Sequence, residues 1–423
     1  MLLPVQQPIV KYEPEDSRRT VLTAGLTPPK AGSLVQAADG GDIGLVLQLF
    51  QEMEEKDLRL HSVLSTRRMA LTRLPWEIVS AEESERFRGD KALANEAAAF
   101  AFDMLSELDD FAAALPTMAD AIGPNLAVLE NVWEGSRLVA INPVLGDRLR
   151  FNYEKSKQLH ITTREFPATG IPASLPYFVA HMPKSRHGYP LRGTLVRAVA
   201  MIFLVRNYAL KDWATFSEVF GMPVRIGRYE PGAKGTEKRE MLDMLRLLGT
   251  DAVALFSKSM DLEFKEAGDR SGAPYESIMD WASRELAVGI LGQNLTTDTT
   301  GGTGTFAAAD VQDRVREDLC EDDATAEART IRRQILEPVT RIWFGRHDAP
   351  VPIFRRKARE VIDHIQEADK IERGLRIGLK IPRGYAYERM GIPVPPDVDP
   401  NEFLDKPSEP SSPIGGLFAG VNQ

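Results

Sequence analysis

The side chains with chemistry to offer are six histidines, one cysteine and a surplus of carboxylates. The histidines stand at 61, 160, 181, 187, 347 and 364. Only His181 and His187 lie close together, inside the basic, Gly/Pro-bounded stretch 181–193. A zinc site needs three or four converging nitrogen, sulfur or carboxylate ligands. That stretch supplies no third ligand, so it reads as a solvated loop. Cys320 has no evident activating neighbour and reads as a buried structural thiol. A lone cysteine also allows no disulfide framework within the chain, which suits a reducing compartment. Glu321, Asp322 and Asp323 are consecutive, and on a helix consecutive side chains point in different directions, so they predict no metal cluster. The sequence contains no phosphate-binding Gly-x-x-x-x-Gly-Lys-Ser/Thr, no dinucleotide glycine fingerprint, no His-Glu-x-x-His and no Cys-x-x-Cys. No catalytic residue, cofactor or metal is expected on these grounds.

A different kind of chemistry is offered by Gln293-Asn294-Leu295-Thr296-Thr297-Asp298-Thr299-Thr300-Gly301-Gly302-Thr303-Gly304-Thr305-Phe306. It has hydroxyls, glycines and one charge, and little that could hold a core. Ordering such a segment costs backbone entropy, and a loop kept between two strong helical patterns usually has a task. The flanking patterns run from Tyr275 to Leu291 and from Ala308 to Phe344, the second predicted to kink at Pro338.

The elements that must position this loop follow in chain order. Residues 1–38 read as an extended arm, because Pro4, Pro8, Pro14, Pro28 and Pro29 interrupt helices; Thr20-Val21-Leu22 could add a strand to a neighbour. Gly40-Gly41-Asp42 reads as a break and cap before a helix from Ile43, continuing through Leu60 and Leu64 towards Leu71. Leu74-Pro75-Trp76-Glu77-Ile78-Val79 reads as a strand. Lys91 to Leu108 is helical, a second helix starts at Phe111, and Gly123-Pro124 interrupts it before Leu126 to Trp133. From Arg137 short strands are predicted at 138–141, 149–153 and 160–162. Thr194 to Phe220 is a long helix, apolar nearly all round, that must pack on several neighbours; Arg197, Arg206, Lys211 and Asp212 interrupt that surface. Residues 222–267 read as a small βαββ unit, with strands at 224–229, 252–256 and 260–264, marginal unless it packs on copies of itself. Residues 393–423, rich in proline, read as extended or disordered.

The net charge is −9, whereas proteins that grip nucleic acid show a basic excess; sliding past it is still compatible with that charge. The most apolar run, Leu195 to Val205, contains Arg197 and falls short of the ~20 residues that span a bilayer. The first residues lack a basic region followed by an apolar core, so no export signal and no membrane partner are expected.

Several motifs resemble the Mu-like phage portal proteins, in order, over residues 18 to 395: 20–28 (Thr20-Val21-Leu22-Thr23-Ala24-Gly25-Leu26-Thr27-Pro28), Leu74-Pro75-Trp76-Glu77-Ile78-Val79, Asn131-Val132-Trp133-Glu134, Tyr208-Ala209-Leu210-Lys211-Asp212-Trp213, Phe220-Gly221-Met222-Pro223-Val224-Arg225 and Ile290-Leu291-Gly292-Gln293-Asn294-Leu295-Thr296-Thr297. The resemblance implies an α+β portal fold assembling into a dodecameric ring at one capsid vertex, through which double-stranded DNA is packaged and ejected. It implies an N-terminal arm at 1–38, a wing at 39–193, a first stem helix at 194–221 and a clip at 222–267. It places a second stem helix at 273–292, a tunnel loop at 293–309, a kinked wing helix at 310–345, a crown at 346–395 and a flexible tail at 396–423.

The tunnel loop would bring Gln293, Asn294, Thr296, Thr297, Asp298, Thr299, Thr300, Gly301, Gly302, Thr303, Gly304 and Thr305 to the DNA channel. Arg197, Arg206, Lys211 and Trp213 would lie in stem contacts between subunits, with Arg197 and Arg206 facing neighbouring carboxylates or the channel. Implied partners are other copies of the chain, DNA, terminase, capsid and scaffold proteins, and the head–tail connector or neck proteins. The implied location is the virion, with the host cytoplasm during assembly. Two other readings are carried: an Asp/Glu metal-dependent DNA-processing enzyme, and a virion adaptor or minor head protein.

Overall fold

The computed structural model describes residues 8–10, 21–152, 158–184, 190–221, 225–229, 232–247, 253–257, 273–293, 306–357, 364–396 and 398–404. Two compact units divide the chain, Met1–Lys357 and Ala358–Gln423.

The first unit starts with a helix where proline had argued for an arm. Helix α1 covers Pro28–Asp39, and Thr27 Oγ1 accepts the Lys30 N–H at 3.4 Å. Pro28 and Pro29 occupy the first turn, where a helix has no use for their missing N–H groups. Val21 and Leu22 form no strand. The carboxylate of Glu52 takes the N–H groups of Leu22 and Thr23 at 3.1 and 3.0 Å, so this segment is tied to its own subunit.

Helices α2 (Gly44–Lys56) and α3 (Leu58–Thr72) are two helices rather than one. Asp57 separates them, and its Oδ1 accepts from Arg59 and Leu60 N–H at 2.9 and 3.1 Å. Gly40-Gly41 does break the chain, but α2 starts without a side-chain cap. After β1 (Trp76–Val79) come α4 (Lys91–Glu107), capped by Asp90, and α5 (Asp109–Ala119).

The centre of this unit is an antiparallel sheet of β2 (Ala127–Glu134), β3 (Arg137–Val144) and β7 (Phe178–His181), in the order β3-β2-β7. Strands therefore begin at Ala127, earlier than the turn signals indicated. Val128, Val144 and Phe178 face one core, shared with apolar residues of α2, α3, α6 and α8. Leu129, Trp133, Leu138, Ile141 and Val179 face a second core, with residues of α4, α5 and the 331–339 region. A strand buried on both faces loses the polar/apolar alternation that marks a half-exposed one. A smaller sheet joins β4 (Leu149–Asn152), β5 (Gln158–Ile161) and β6 (Ile171–Pro172).

Helix α6 (Val196–Gly221) is followed by β8 (Arg225–Tyr229), α7 (Gly235–Leu247) and β9 (Val253–Ser257), with β8 and β9 parallel. The further strand expected at 260–264 lies outside the described residues. Helix α8 covers Ala273–Leu291 and α9 covers Phe306–Ile331. The kink expected at Pro338 is a π-helical turn, Arg332–Leu336, leading into α10 (Glu337–Phe344). Pro338 has no N–H for the carbonyl four residues back and its ring needs room there; the widened turn before it makes that room. The turn carries Gln334 to the free edge of β7, where its amide accepts from Ala180 N–H at 2.8 Å and donates to Ala180 C=O at 3.0 Å. One side chain thus covers that edge in place of a strand.

Strand β10 (Ile353–Arg356) pairs antiparallel with β1, Trp76 opposite Arg356. Residues 346–357, expected in the crown, therefore belong to the first unit. Arg356 is 2% exposed and Glu327 0%. Its guanidinium donates to both Glu327 oxygens at 2.7 and 2.9 Å and to the Leu74 carbonyl at 2.7 Å. Burial pushes the Glu327 carboxyl above its usual range, with the Arg356 hydrogen bonds acting the other way.

The second unit contains α11 (His364–Arg376) and α12 (Arg383–Arg389). The segment 398–404 folds back on it. Arg383 N–H donates to Glu402 C=O at 2.7 Å, Gly384 N–H to Pro400 C=O at 2.8 Å and Leu404 N–H to Ile381 C=O at 2.8 Å. The expected tail boundary at 396 therefore moves: residues up to 404 are part of this unit, held by backbone pairing that composition does not reveal.

Two stability predictions follow from the buried polar groups. Arg356→Met leaves the Glu327 carboxyl buried without its cation, and urea unfolding is expected to show a loss of about 3–5 kcal/mol; Arg356→Met with Glu327→Leu recovers most of it. His181, buried in β7, has its pKa lowered by burial to about 4. The Thr330 hydroxyl donates to Ala326 C=O at 3.1 Å and so accepts from His181 Nδ1–H at 2.8 Å. The folded state holds the neutral ring while the unfolded chain takes up a proton below its ordinary pKa of ~6.5. Stability is therefore full above that value and falls by up to about 1.4 kcal/mol per pH unit towards pH 4. His181→Gln is expected to flatten that dependence in denaturation measured between pH 7 and pH 5.

Candidate functional site

Helices α6 and α8 run antiparallel. Phe216 meets Tyr275 with ring centroids 5.8 Å apart, while Arg206, earlier in α6, reaches the Met279 carbonyl at 3.3 Å, later in α8. Arg206 also donates to Asp57 Oδ2 at 2.7 Å and to Ser283 Oγ. Arg206 is 13% exposed and Asp57 6%. The carboxylate expected from a neighbouring subunit is thus supplied by the same chain, because the start of α3 packs beside α8. Arg197 bonds Asp39 of α1, also within the chain, but at the exposed surface. Lys211 is exposed and Trp213 half-buried.

Helix α8 has two apolar faces. Ala282, Leu286, Ala287 and Ile290 are buried against the core. On the opposite face, at helical spacing, Ile278, Trp281 and Val288 are 40%, 45% and 47% exposed. Met201 and Leu210 of α6 are exposed as well. The sequence reading missed this second stripe. Its only trace is that 278, 281 and 288 share a helical face.

The base of the Thr/Gly-rich segment is well defined on both sides. Residues 294–305, which carry Asn294, Thr296, Thr297, Asp298, Thr299, Thr300, Gly301, Gly302, Thr303, Gly304 and Thr305, lie outside the described residues. Gln293 is buried. Phe306 to Ala309, expected in the loop, are the start of α9. Gly292 ends α8 at φ +71°, and a Cβ there would stand 2.8 Å from Val315 Cγ1 and 3.5 Å from Leu319 Cδ1. The chain leaves α8 pressed against α9. Arg67 of α3 spans this junction: Nη1 donates to the Ile290 carbonyl at 2.8 Å, Nε and Nη2 to Asp323 at 2.8 and 3.0 Å. Of the carboxylates at 321–323, Asp323 holds Arg67 and Asp322 meets Lys184 at 3.1 Å. Cys320 is half-buried, and burial raises its thiol pKa.

A family model described as the portal protein of Mu bacteriophage matches residues 47–392. The chain belongs to this portal protein family. Among its relatives are the Mu-like prophage FluMu protein gp29 of Haemophilus influenzae, 29% identical over 382 residues, and the portal protein of Escherichia phage Mu, 29% identical over 381. Each alignment covers 88% of this chain, and 71% and 72% of the respective relative. Solved structures similar to it include the neck of an empty GTA particle computed with C6 symmetry, with TM-score 0.49 at 13% identity over 80% of this chain and 90% of that one. Another is the virion of a native gene transfer agent particle, with TM-score 0.48 at 14% identity over 79% and 89%.

In this portal chain α6 and α8 form a long antiparallel pair, and α9 runs through a π-helical turn into α10. The family model reaches to 392, so it spans the second unit's two helices as well.

The loop base yields a paired prediction. Gly292→Ala forces a side chain into the left-handed region and against Val315, and should cost about 1–2 kcal/mol or more. Gly289→Ala, where a Cβ meets nothing within 4 Å and φ is not positive, should instead stabilise by roughly 0.5–1 kcal/mol. Urea unfolding of the two variants side by side checks the sign of each.

Proposed function

We propose that copies of this chain close into a dodecameric ring forming the channel at one capsid vertex through which double-stranded DNA is packaged and ejected. Family membership supports the portal role. The observation that carries the ring is the second apolar face of α8, Ile278, Trp281 and Val288, exposed on the single subunit. An apolar stripe on a helix whose other face is already packed asks for a partner. A contact between unlike surfaces of neighbouring copies closes into a ring when the rotation from copy to copy divides a full turn. Trp213, Lys211 and Arg197 border the stem surfaces that would meet.

The two-stranded parallel β8/β9 unit with α7 is too small to be stable alone, and open strand edges invite pairing. We assign residues 222–267 to an intersubunit clip at the narrow outer end, where terminase and later the head–tail connector or neck proteins dock. The wing would meet capsid and scaffold proteins. Residues 294–305 would line the channel, their threonine hydroxyls giving brief contacts to phosphates. The acidic chain, at −9, lets DNA slide where a cationic lumen would hold it. The ring would be built in the host cytoplasm and reside in the virion.

The buried carboxylates favour this structural reading over an Asp/Glu metal-dependent enzyme. Asp57, Asp323 and Glu327 each hold an arginine and Glu130 accepts the N–H groups of Ile9 and Val10, whereas a catalytic divalent cation needs oxygen ligands free to face it.

Trp281→Ser with Val288→Ser is expected to abolish rings in mass photometry while leaving a folded monomer; a wild-type chain that stays monomeric at micromolar concentration would sink the ring. Deleting 299–305 is expected to leave rings intact and to shorten or destabilise the packaged DNA, and normal packaging in that deletion would remove the loop from the mechanism.

A further inference from the structure

We infer that Arg67 is a positioning residue that couples the kinked helix to the DNA-facing segment, by clamping the C-terminus of α8 onto α9. The inference rests on the channel role proposed for residues 294–305. Its geometry stands apart from that role.

Ile290 supplies one of the last four carbonyls of α8, which have no partner inside the helix. The C-terminal end of a helix carries partial negative charge and favours a cation. Arg67 answers both needs with Nη1 at 2.8 Å, and its remaining donors make a bidentate pair with Asp323 on α9. The guanidinium is 10% exposed and the carboxylate 5%. A planar fork fits a carboxylate on one edge and a carbonyl on the other; a lysine ammonium has no such geometry. Two residues further on, Gly292 packs against Val315 and Leu319 of the same helix. The direction in which the chain leaves α8 is thus fixed by Arg67 on one side and by Gly292 on the other.

Helix α3 is itself anchored to the stem. Arg59 Nε donates to the Ser283 carbonyl at 3.3 Å, and Asp57 takes Arg206 of α6 at 2.7 Å. Positions 59 and 67 of α3 therefore hold positions 283 and 290 of α8, about two helical turns apart in each. The two helices run side by side in the same direction. Through Arg67 this stem bundle gains a buried ionic tie to α9. A shift of α9 then moves the end of α8, and a displacement of the segment between them acts back on α9.

The test uses the full chain assembled as rings, and particles built with it. Arg67→Lys keeps the charge and loses the fork. Asp323→Asn keeps the volume and the Ile290 bond and weakens the tie to α9. Both are expected to assemble rings of unchanged size, while amide hydrogen exchange over 289–293 rises about tenfold or more. Particles carrying either variant should retain less DNA or a wider spread of lengths. The swap Arg67→Asp with Asp323→Arg restores the pair but sets a carboxylate against the Ile290 carbonyl, so exchange should stay raised. Wild-type exchange in Arg67→Lys rings overturns the clamp. If Arg67→Lys fails to assemble, unchanged exchange in Asp323→Asn rings does the same. Recovery in the swap overturns the role of the carbonyl, and raised exchange with normal DNA retention overturns the coupling. Normal packaging after deletion of 299–305 would instead remove the channel reading, while the exchange data still decide the clamp.

Discussion

The larger unit depends on a set of arginines and carboxylates taken out of water where its elements meet. Asp57 with Arg206, Arg67 with Asp323 and Arg356 with Glu327 are all nearly inaccessible to solvent. Moving such a charge into the interior costs several kcal/mol, which is recovered only when geometry and further hydrogen bonds are good. Here each arginine also takes a backbone carbonyl: Met279, Ile290 or Leu74. Apolar packing alone would let helices slide in register. A fork fixed to a carboxylate on one element and a carbonyl on another does not allow that.

The sheet and the kinked helix show the same logic on a different scale. β2 and its neighbours divide two apolar cores, so β2 has no wet face from Ala127 to Trp133. Its β7 edge is closed by Gln334, which only a widened turn before Pro338 brings into place. The buried His181–Thr330 bond lies one turn earlier. The kink is therefore part of how helix and sheet join.

Among the described residues Asp57, Asp323 and Glu327 each hold an arginine, Cys320 is half-buried, and the histidines are scattered along the sequence. Helices α8 and α6 carry exposed apolar residues on the single chain. Such surface suits contact between copies, since burying it releases water without demanding paired charges.

The sequence by itself determined the long helices, the short strands after Arg137 and the pair of helices flanking the Thr/Gly-rich segment. These depend on local periodicity and on Gly and Pro breaks. It also carried the portal resemblance, in motifs such as 208–213 and 290–297 that stand out from short-motif noise. It misjudged Pro28-Pro29, where the proline rule for helix interiors gave way to the opposite rule for first turns. It missed β2, because two-sided burial erases alternation. Only the tertiary structure decided that residues 353–356 pair with β1, that 398–404 fold back on 381–384, and that Arg206 spends its charge inside the subunit. The same is true of Arg67, which lies 223 residues from Ile290 and 256 from Asp323. Long-range pairing of that kind leaves no periodic trace, since each partner is chosen by where the fold brings it.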